Sequence, residues 1–224
     1  EDHASSTYIS VLDENGDMFV ALSDMSVLQE MTVDFIHSKS SIIKGSRLIT
    51  CDPALHPDVM EEILNLYSDT IPVFVDPVSC AYAETIVDFI GKFHTAKPNI
   101  LETEILSGMK IKSKKDLYKA AEKILDKGLK RIFISLGADG CLYMDREGKH
   151  IERKLAPVEH MVNASGAGDA FMAAVIYSYI NAFTLDKTID YGLAAGIVAI
   201  SHEKTINPNM SVSLIENILK ERKI

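Results

Sequence analysis

The spacing of apolar residues along this 224-residue chain changes shortly after its N-terminus. Two short β-prone runs, residues 7–12 and 18–22, flank the dipeptide Asn15-Gly16. Because Asn-Gly tolerates positive φ, this pattern predicts a two-stranded hairpin. Further along, short continuous apolar runs alternate with longer segments in which apolar residues recur every three or four positions. That alternation predicts strands and helices in turn.

The alternation extends over most of the remaining chain. The predicted strands are residues 47–51, 71–75, 94–97, 131–136 and 141–144. The predicted helices are residues 32–43, 57–67, 83–93, 99–106, 113–127, 166–180, 185–201 and 212–220. Nearly continuous apolar strands separated by helices are typical of a parallel sheet that helices cover on both faces. The predicted fold class is therefore α/β, a three-layer α/β/α arrangement with a mostly parallel central sheet and a Rossmann-like core.

Composition and charge exclude several classes of partner. A hydrophobic share of 47% with 25% charged residues is ordinary for a globular protein. No apolar run approaches the roughly 20 residues that a membrane-spanning helix requires, and residues 1–6 do not resemble a signal peptide. The formal net charge of −9 argues against binding to nucleic-acid polymers or membrane surfaces. Cys51, Cys80 and Cys141 show no metal-binding spacing, so we expect buried thiols in a cytoplasmic protein.

Polar residues and glycines follow the predicted strands, where ligands of parallel α/β sheets bind. They are Asp76-Pro77, Pro98-Asn99 and the turn at residues 137–140. Asn99 and Glu102 are three apart and would share a helix face, where their oxygen atoms suit a hydrated Mg²⁺ ion. The same pair could instead cap the helix, and residues 137–140 could be a tight hairpin. The residues alone leave both alternatives open.

A glycine-rich stretch, Asn-Ala-Ser-Gly-Ala-Gly-Asp at residues 163–169, leads into an apolar helical segment. Gly166, Ala167 and Gly168 carry almost no side chain, so a ligand can approach their backbone closely. The N–H groups of Ala167, Gly168 and Asp169 would be among the unsatisfied donors of the first helical turn. Such a turn is an anion site, although a carboxylate there also fits a simply capped and tightly packed helix start.

Together these motifs resemble those of the ribokinase-like (PfkB) carbohydrate and nucleoside kinases, and they occur in the family's order. Residues 163–169 resemble the family signature Asp-Thr-x-Gly-Ala-Gly-Asp. Residues 97–102 resemble its Asn-x-x-Glu motif, and residues 135–140 its Thr-x-Gly-x-x-Gly nucleotide loop. The resemblance covers essentially the whole chain. Residues 6–10 with 24–25, 73–79, 94–99 and 207–208 further resemble the subfamily that phosphorylates the nucleoside pseudouridine.

The resemblance implies a ribokinase-like fold and ATP-dependent phosphorylation of an alcohol, namely the 5′-hydroxyl of pseudouridine. A sugar such as ribose or fructose is the alternative acceptor, and a non-catalytic nucleotide-binding fold is a third interpretation. By the same resemblance Asp169 is the general base, the backbone N–H groups of Ala167, Gly168 and Asp169 form the anion hole, and Gly166 also belongs to the catalytic residues. The implied ATP-binding residues are Asn99, Ser135, Gly137, Ala138, Gly140 and Gly168. Asn99 and Glu102 are implied to hold Mg²⁺ through water.

The resemblance also suggests a potassium ion near the anion hole, at Asn163, Ser165 and residues 205–209. Asn163 and Ala164 stand where the family usually has Asp and Thr, so a charge and a hydroxyl are missing there. We expect residues 1–24 to be a partial lid and residues 25–224 to be the catalytic domain. The family's N-terminal segment has no counterpart here, so we expect a truncated chain with an incomplete acceptor site, which could be inactive. We also expect self-association, most simply as a homodimer.

Overall fold

The computed structural model describes residues 4–12, 18–155 and 166–222. Its first two strands, β1 (Thr7–Leu12) and β2 (Met18–Asp24), pair antiparallel and confirm the predicted hairpin. The Asn-Gly turn lies outside the described residues. Ile9 lies opposite Leu22 and Val11 opposite Val20, and all four of these apolar side chains are exposed. This exposed face is a feature that self-association would cover, and self-association stays a prediction.

The chain divides into two compact units, residues 1–132 and 133–224, and the division falls inside strand β6 (Arg131–Ser135). Before β6, the first unit holds strands β3 (Ile49–Cys51), β4 (Val73–Val75) and β5 (Thr95–Ala96). Its helices are α1 (Val33–Ser38), α2 (Ser40–Lys44), α3 (Pro57–Tyr67), α4 (Cys80–Thr85), α5 (Ile100–Ser107) and α6 (Lys114–Asp126). Strands β3 to β6 are successive parallel neighbours. All residues of β4 and β5 are buried, which explains their continuous apolar pattern.

The second unit holds two further strands and three helices. Strands β7 (Cys141–Asp145) and β8 (His150–Arg153) pair antiparallel across the turn at residues 146–149. Helices α7 (Ala167–Ile180), α8 (Leu185–Ile200) and α9 (Val212–Arg222) follow. Ala174, Tyr191 and Ile215, one from each helix, share a buried core. With the strand order β3-β4-β5-β6-β7-β8, the predicted mostly parallel sheet is confirmed.

Local capping accounts for the helix starts that the sequence predicts well. The side chains of Thr32 and Ser113 accept hydrogen bonds from backbone N–H groups of the first turns of α1 and α6. Pro57 occupies the first turn of α3, where its missing N–H costs nothing.

The domain boundary predicted after residue 24 stays a prediction.

Two predicted helices are wrong in their extent. Residues 32–43 form two short helices rather than one, because the chain leaves helical geometry at Lys39, with φ −97° and ψ 3°. The helix predicted over residues 83–93 is replaced by α4, a turn and a short 3₁₀ segment at Ile90–Lys92. Here Gly91 lies so close to the end of α6 that a Cβ atom would collide with the carbonyl oxygen of Lys127. This tertiary approach overrides the helical periodicity of the segment.

In the part of the chain that the structure describes, no helix has both the length and the apolar composition needed to cross a membrane.

Candidate functional site

Two charged side chains meet at the carboxyl edge of the sheet in the first unit. Asp76 directly follows β4 and Lys97 directly follows β5, and these strands are parallel neighbours. Lys97 Nζ lies 3.0 Å from Asp76 Oδ2, and the side chains are only 5% and 16% exposed. The backbone N–H of Lys97 also donates to the carbonyl of Val75 at 3.1 Å. A positive charge is therefore held at this edge, two residues before Asn99.

Asn99 and Glu102 form a reciprocal cap at the start of α5. Asn99 Oδ1 accepts a hydrogen bond from the N–H of Glu102 at 2.9 Å, and Glu102 Oε2 accepts one from the N–H of Asn99 at 2.8 Å. The capping role that the sequence left open is thus present. The cap also fixes the Glu102 carboxylate in a buried position, where only 3% of the residue is exposed.

The electrostatic environment of Glu102 combines burial with nearby charges. Burial raises the pKa of Glu102 above its ordinary value of 4.5. The hydrogen bond from the Asn99 backbone lowers this pKa, the Asp76 carboxylate raises it, and the Lys97 ammonium lowers it. These charges therefore form one interacting cluster within the first unit.

The oxygen atoms of Asn99 and Glu102 suit Mg²⁺, which prefers oxygen ligands and keeps several of its waters. Across the described residues, no group of three or more His, Cys, Asp or Glu side chains is arranged to enclose a metal ion. A metal ion bound through few protein atoms and mainly through water fits this arrangement.

In the second unit, the predicted nucleotide loop is a single 3₁₀ turn at Gly137–Asp139, between β6 and β7. Ser135 ends β6, and the turn includes Ala138. Gly140 has φ +101°, and a Cβ atom there would collide with the carbonyl oxygen of Arg153. Gly137 has φ +61°, but a Cβ atom there would meet nothing within 4 Å. Gly140 is thus required by packing, whereas the space beside Gly137 is open to a ligand.

The glycine-rich stretch does begin a helix, α7, as predicted. Gly166 is its N-cap in the left-handed conformation with φ +82°, and no side chain caps the helix among the described residues. A Cβ atom on Gly166 would collide with the carbonyl oxygen of Thr205. Ala167, Gly168 and Asp169 form the first turn, and Asp169 is exposed. Asn163 and Ser165 lie outside the described residues.

The loop that touches Gly166 is anchored to α8. Asn207 is buried, and its Nδ2 donates to the carbonyl of Val198 at 2.8 Å. Its Oδ1 accepts from the N–H of Asn209 at 2.9 Å. These bonds anchor residues 207–209 to α8, two residues after Thr205, whose backbone lies against the start of α7.

The predicted site residues thus lie in three local groups. Asn99 and Glu102 share the first unit with a buried ion pair that the sequence interpretation left out of the site. The signal for that pair was available, since Asp76 and Lys97 are charged residues at the ends of otherwise apolar strands. In the second unit, one group is the turn after β6 and the other is the start of α7.

Comparison with protein families shows where these motifs belong. The chain matches the pfkB family carbohydrate kinase model over residues 1–211. It belongs to the PfkB family. This match shows that the chain is a kinase of the PfkB type that acts on sugars or nucleosides, as the motifs implied.

Two individual PfkB relatives are similar to this chain over most of its length. Pseudouridine kinase of Escherichia coli K12 is 33% identical over 218 residues, which cover 95% of this chain and 69% of that protein. A crystal structure from Clostridium perfringens, assigned as a sugar kinase, is 36% identical with a TM-score of 0.81. The alignment with it covers 97% of this chain and 67% of that one. The chain thus spans roughly two thirds of the length of either protein.

Distant structures confirm the fold. Arabidopsis thaliana ribokinase, solved with ribose and ATP, superimposes with a TM-score of 0.80 at 17% identity. This match covers 96% of this chain and 69% of the ribokinase chain. The predicted three-layer ribokinase-like α/β/α fold is therefore confirmed.

Proposed function

We propose that this PfkB kinase transfers a phosphoryl group from ATP to the 5′-hydroxyl of pseudouridine. The observation that carries the proposal is the start of α7, where a left-handed glycine, with no side-chain cap from the described residues, precedes an exposed aspartate. The 33% identity with a pseudouridine kinase over 95% of the chain supports the choice of acceptor.

In this proposal the first turn of α7 performs the chemistry. The acceptor oxygen attacks the γ-phosphorus, the bond from that phosphorus to the bridging oxygen of ADP breaks, and Asp169 takes the hydroxyl proton. The backbone N–H groups of Ala167, Gly168 and Asp169 stabilise the charge on the moving phosphoryl group, with Gly166 setting their direction. Phosphoryl transfer depends mainly on positioning and charge stabilisation, which such a helix start supplies.

The remaining groups bind the donor. Ser135, Gly137, Ala138, Gly140 and Gly168 line the nucleotide, since the turn after β6 leaves open space beside Gly137. Asn99 and Glu102 hold Mg²⁺ through water at the edge that Asp76 and Lys97 stabilise. When bound, Mg²⁺ neutralises charge on the phosphate oxygens.

A panel of acceptors tests this function directly. The protein, produced both as these 224 residues and as the longest polypeptide that its gene encodes, is assayed with ATP and Mg²⁺. The acceptors are pseudouridine, uridine, ribose and fructose. We expect the highest kcat/KM for pseudouridine, and phosphate on its 5′-oxygen by NMR. A higher kcat/KM for uridine or for either sugar would contradict the proposed acceptor.

A sugar kinase is the second candidate, because the Clostridium perfringens structure assigned as a sugar kinase is 36% identical to this chain. Preferred turnover of ribose or fructose would establish it. Saturable ATP binding without turnover of any acceptor by either form of the protein would instead support a non-catalytic nucleotide-binding fold.

A further inference from the structure

Val78 has a backbone conformation that β-branched residues rarely adopt. Its φ is +64°, in the left-handed region that favours glycine. The N–H of Ser79 donates to the carbonyl of Pro77 at 2.6 Å, which closes a three-residue turn centred on Val78. Three-residue turns with positive φ at the centre are rare and strained. The turn directly follows Asp76 at the carboxyl end of β4.

The turn is fixed on both sides. Asp76 uses one carboxylate oxygen to accept a hydrogen bond from the N–H of Val78 at 3.2 Å, and the other to pair with Lys97 at 3.0 Å. On the far side, Ser79 Oγ accepts from the N–H of Tyr82 and caps α4. The strained conformation is therefore held by the same buried ion pair that borders Asn99.

Packing against the described residues only partly accounts for a valine at this position. Val78 is 50% exposed, whereas glycine or asparagine would adopt the same φ with less strain. Strained residues held by their surroundings cluster at functional sites. Among the described residues, Ala182 is the other non-glycine with positive φ, at +52°, and it lies in the connection between α7 and α8.

We propose that Val78 is a water-excluding residue for phosphoryl transfer. In this proposal its isopropyl group covers the phosphates beside the Mg²⁺ ion that Asn99 and Glu102 hold through water. Excluding water matters because a water oxygen can attack the γ-phosphorus in place of the acceptor oxygen, giving ADP and inorganic phosphate. An apolar group fixed at that edge removes the competing water. This inference rests on the proposed kinase function.

The test compares strain relief at two positions. Val78→Gly removes the side chain's cover, and Val78→Asn replaces it with a polar amide; both relieve the strain. Val78→Ala removes most of the isopropyl group. Ala182→Gly relieves strain in the connection between α7 and α8. The measurements are ATP hydrolysis without acceptor, phosphoryl transfer with acceptor, and the thermal unfolding midpoint. We expect both glycine variants to raise the midpoint. The three Val78 variants, but not Ala182→Gly, should raise the ratio of hydrolysis to transfer severalfold.

Several outcomes would overturn the inference. An unchanged ratio in Val78→Ala, which keeps a Cβ and is the variant least disturbing to the turn, contradicts water exclusion. Equal falls in hydrolysis and transfer would show a purely structural role. If the wild-type protein transfers phosphate to none of the acceptors, the proposed function fails and this inference fails with it.

Discussion

Helices α5 and α7 begin in opposite ways, with an extended N-cap at Asn99 and a left-handed N-cap at Gly166. At α5 the side chains of Asn99 and Glu102 satisfy the backbone donors reciprocally. At α7 the N-cap is Gly166, which has no side chain and no side-chain cap among the described residues. A helix start closed by its own side chains is less suited to anions than one whose N–H groups face outward. In the proposed function, the start of α7 therefore binds the transferred phosphoryl group, and Asn99 and Glu102 at the start of α5 organise Mg²⁺.

The two starts also differ in what fixes them. The α5 cap uses residues three apart in sequence, so it forms wherever the helix forms. The conformation of Gly166 is instead matched to Thr205, about forty residues later, through close backbone packing. The chemistry proposed for α7 thus depends on tertiary structure, whereas the α5 cap is local. Substitutions at the start of α5 and at the start of α7 should distinguish the effect of local capping from that of tertiary packing.

The largest effect is expected from Asp169→Asn. Asparagine keeps the size of the side chain but cannot accept the hydroxyl proton, so kcat should fall by about a hundredfold or more. Steady-state kinetics with the preferred acceptor give the effect. Circular dichroism and ATP binding should stay as in the wild type, because Asp169 is exposed. Retention of more than a tenth of the wild-type kcat would show that Asp169 is not the base.

Gly166→Ala should have the next largest effect. Alanine is unfavourable at φ +82°, and its Cβ would collide with the carbonyl oxygen of Thr205. The first turn of α7 must then shift, so we expect a lower unfolding midpoint and a loss of ATP turnover.

Gly148→Ala is the matched control for that substitution. Gly148 has a similar φ of +86°, but a Cβ atom there meets nothing within 4 Å. The control should cost about 1 kcal/mol in stability and leave turnover unchanged. Equal effects of the two substitutions on turnover would mean that the contact with Thr205 does not position the first turn of α7.

The difference between local and tertiary contacts also explains which features could be predicted from the sequence. The alternation of strands and helices, the helix caps and the motifs are local or periodic signals, and α3 appears with the bounds that were predicted. The pair Asp76–Lys97, the break near Gly91 and the approach of Thr205 to Gly166 join residues distant in sequence. Charged residues at strand ends mark Asp76 and Lys97 as candidates, but no spacing within one segment encodes these contacts. The sequence therefore revealed the motifs but not the tertiary contacts that hold them in place.

Glu102→Gln should change the pH dependence of stability. Folding raises the pKa of Glu102, mainly by burial, so the folded wild-type protein loses stability as pH rises through that pKa. Glutamine is uncharged and can still accept the hydrogen bond from Asn99. The variant should therefore gain stability relative to the wild type from acidic to neutral pH, measured by urea unfolding. It should also need more Mg²⁺ for half-maximal activity.

Glu104→Gln, on the same helix, is the control with the opposite sign. The pKa of Glu104 is lowered, first by its hydrogen bond from the Ile111 backbone and then by Lys110. The ionised Glu104 side chain stabilises the folded protein at neutral pH, and this stabilisation is lost as pH falls through the pKa that Glu104 has in the folded state. Glu104→Gln should therefore be less stable than the wild type at neutral pH. If both variants showed the same pH trend, the burial of Glu102 would not control its ionisation.

The smallest effects are expected from removing single N-cap side chains. These substitutions distinguish capping from Mg²⁺ binding at the start of α5. Asn99→Ala and Ser113→Ala each remove an N-cap side chain, from α5 and α6 respectively, and each should cost about 0.5–2 kcal/mol of stability. Ser113 has no proposed role in the reaction, so its variant should have the Mg²⁺ requirement of the wild type. Asn99→Ala should raise the Mg²⁺ concentration needed for half-maximal activity, measured at saturating ATP. If the two variants lose similar stability and neither changes the Mg²⁺ requirement, Asn99 is only a cap, and the metal-organising role passes to Glu102 alone.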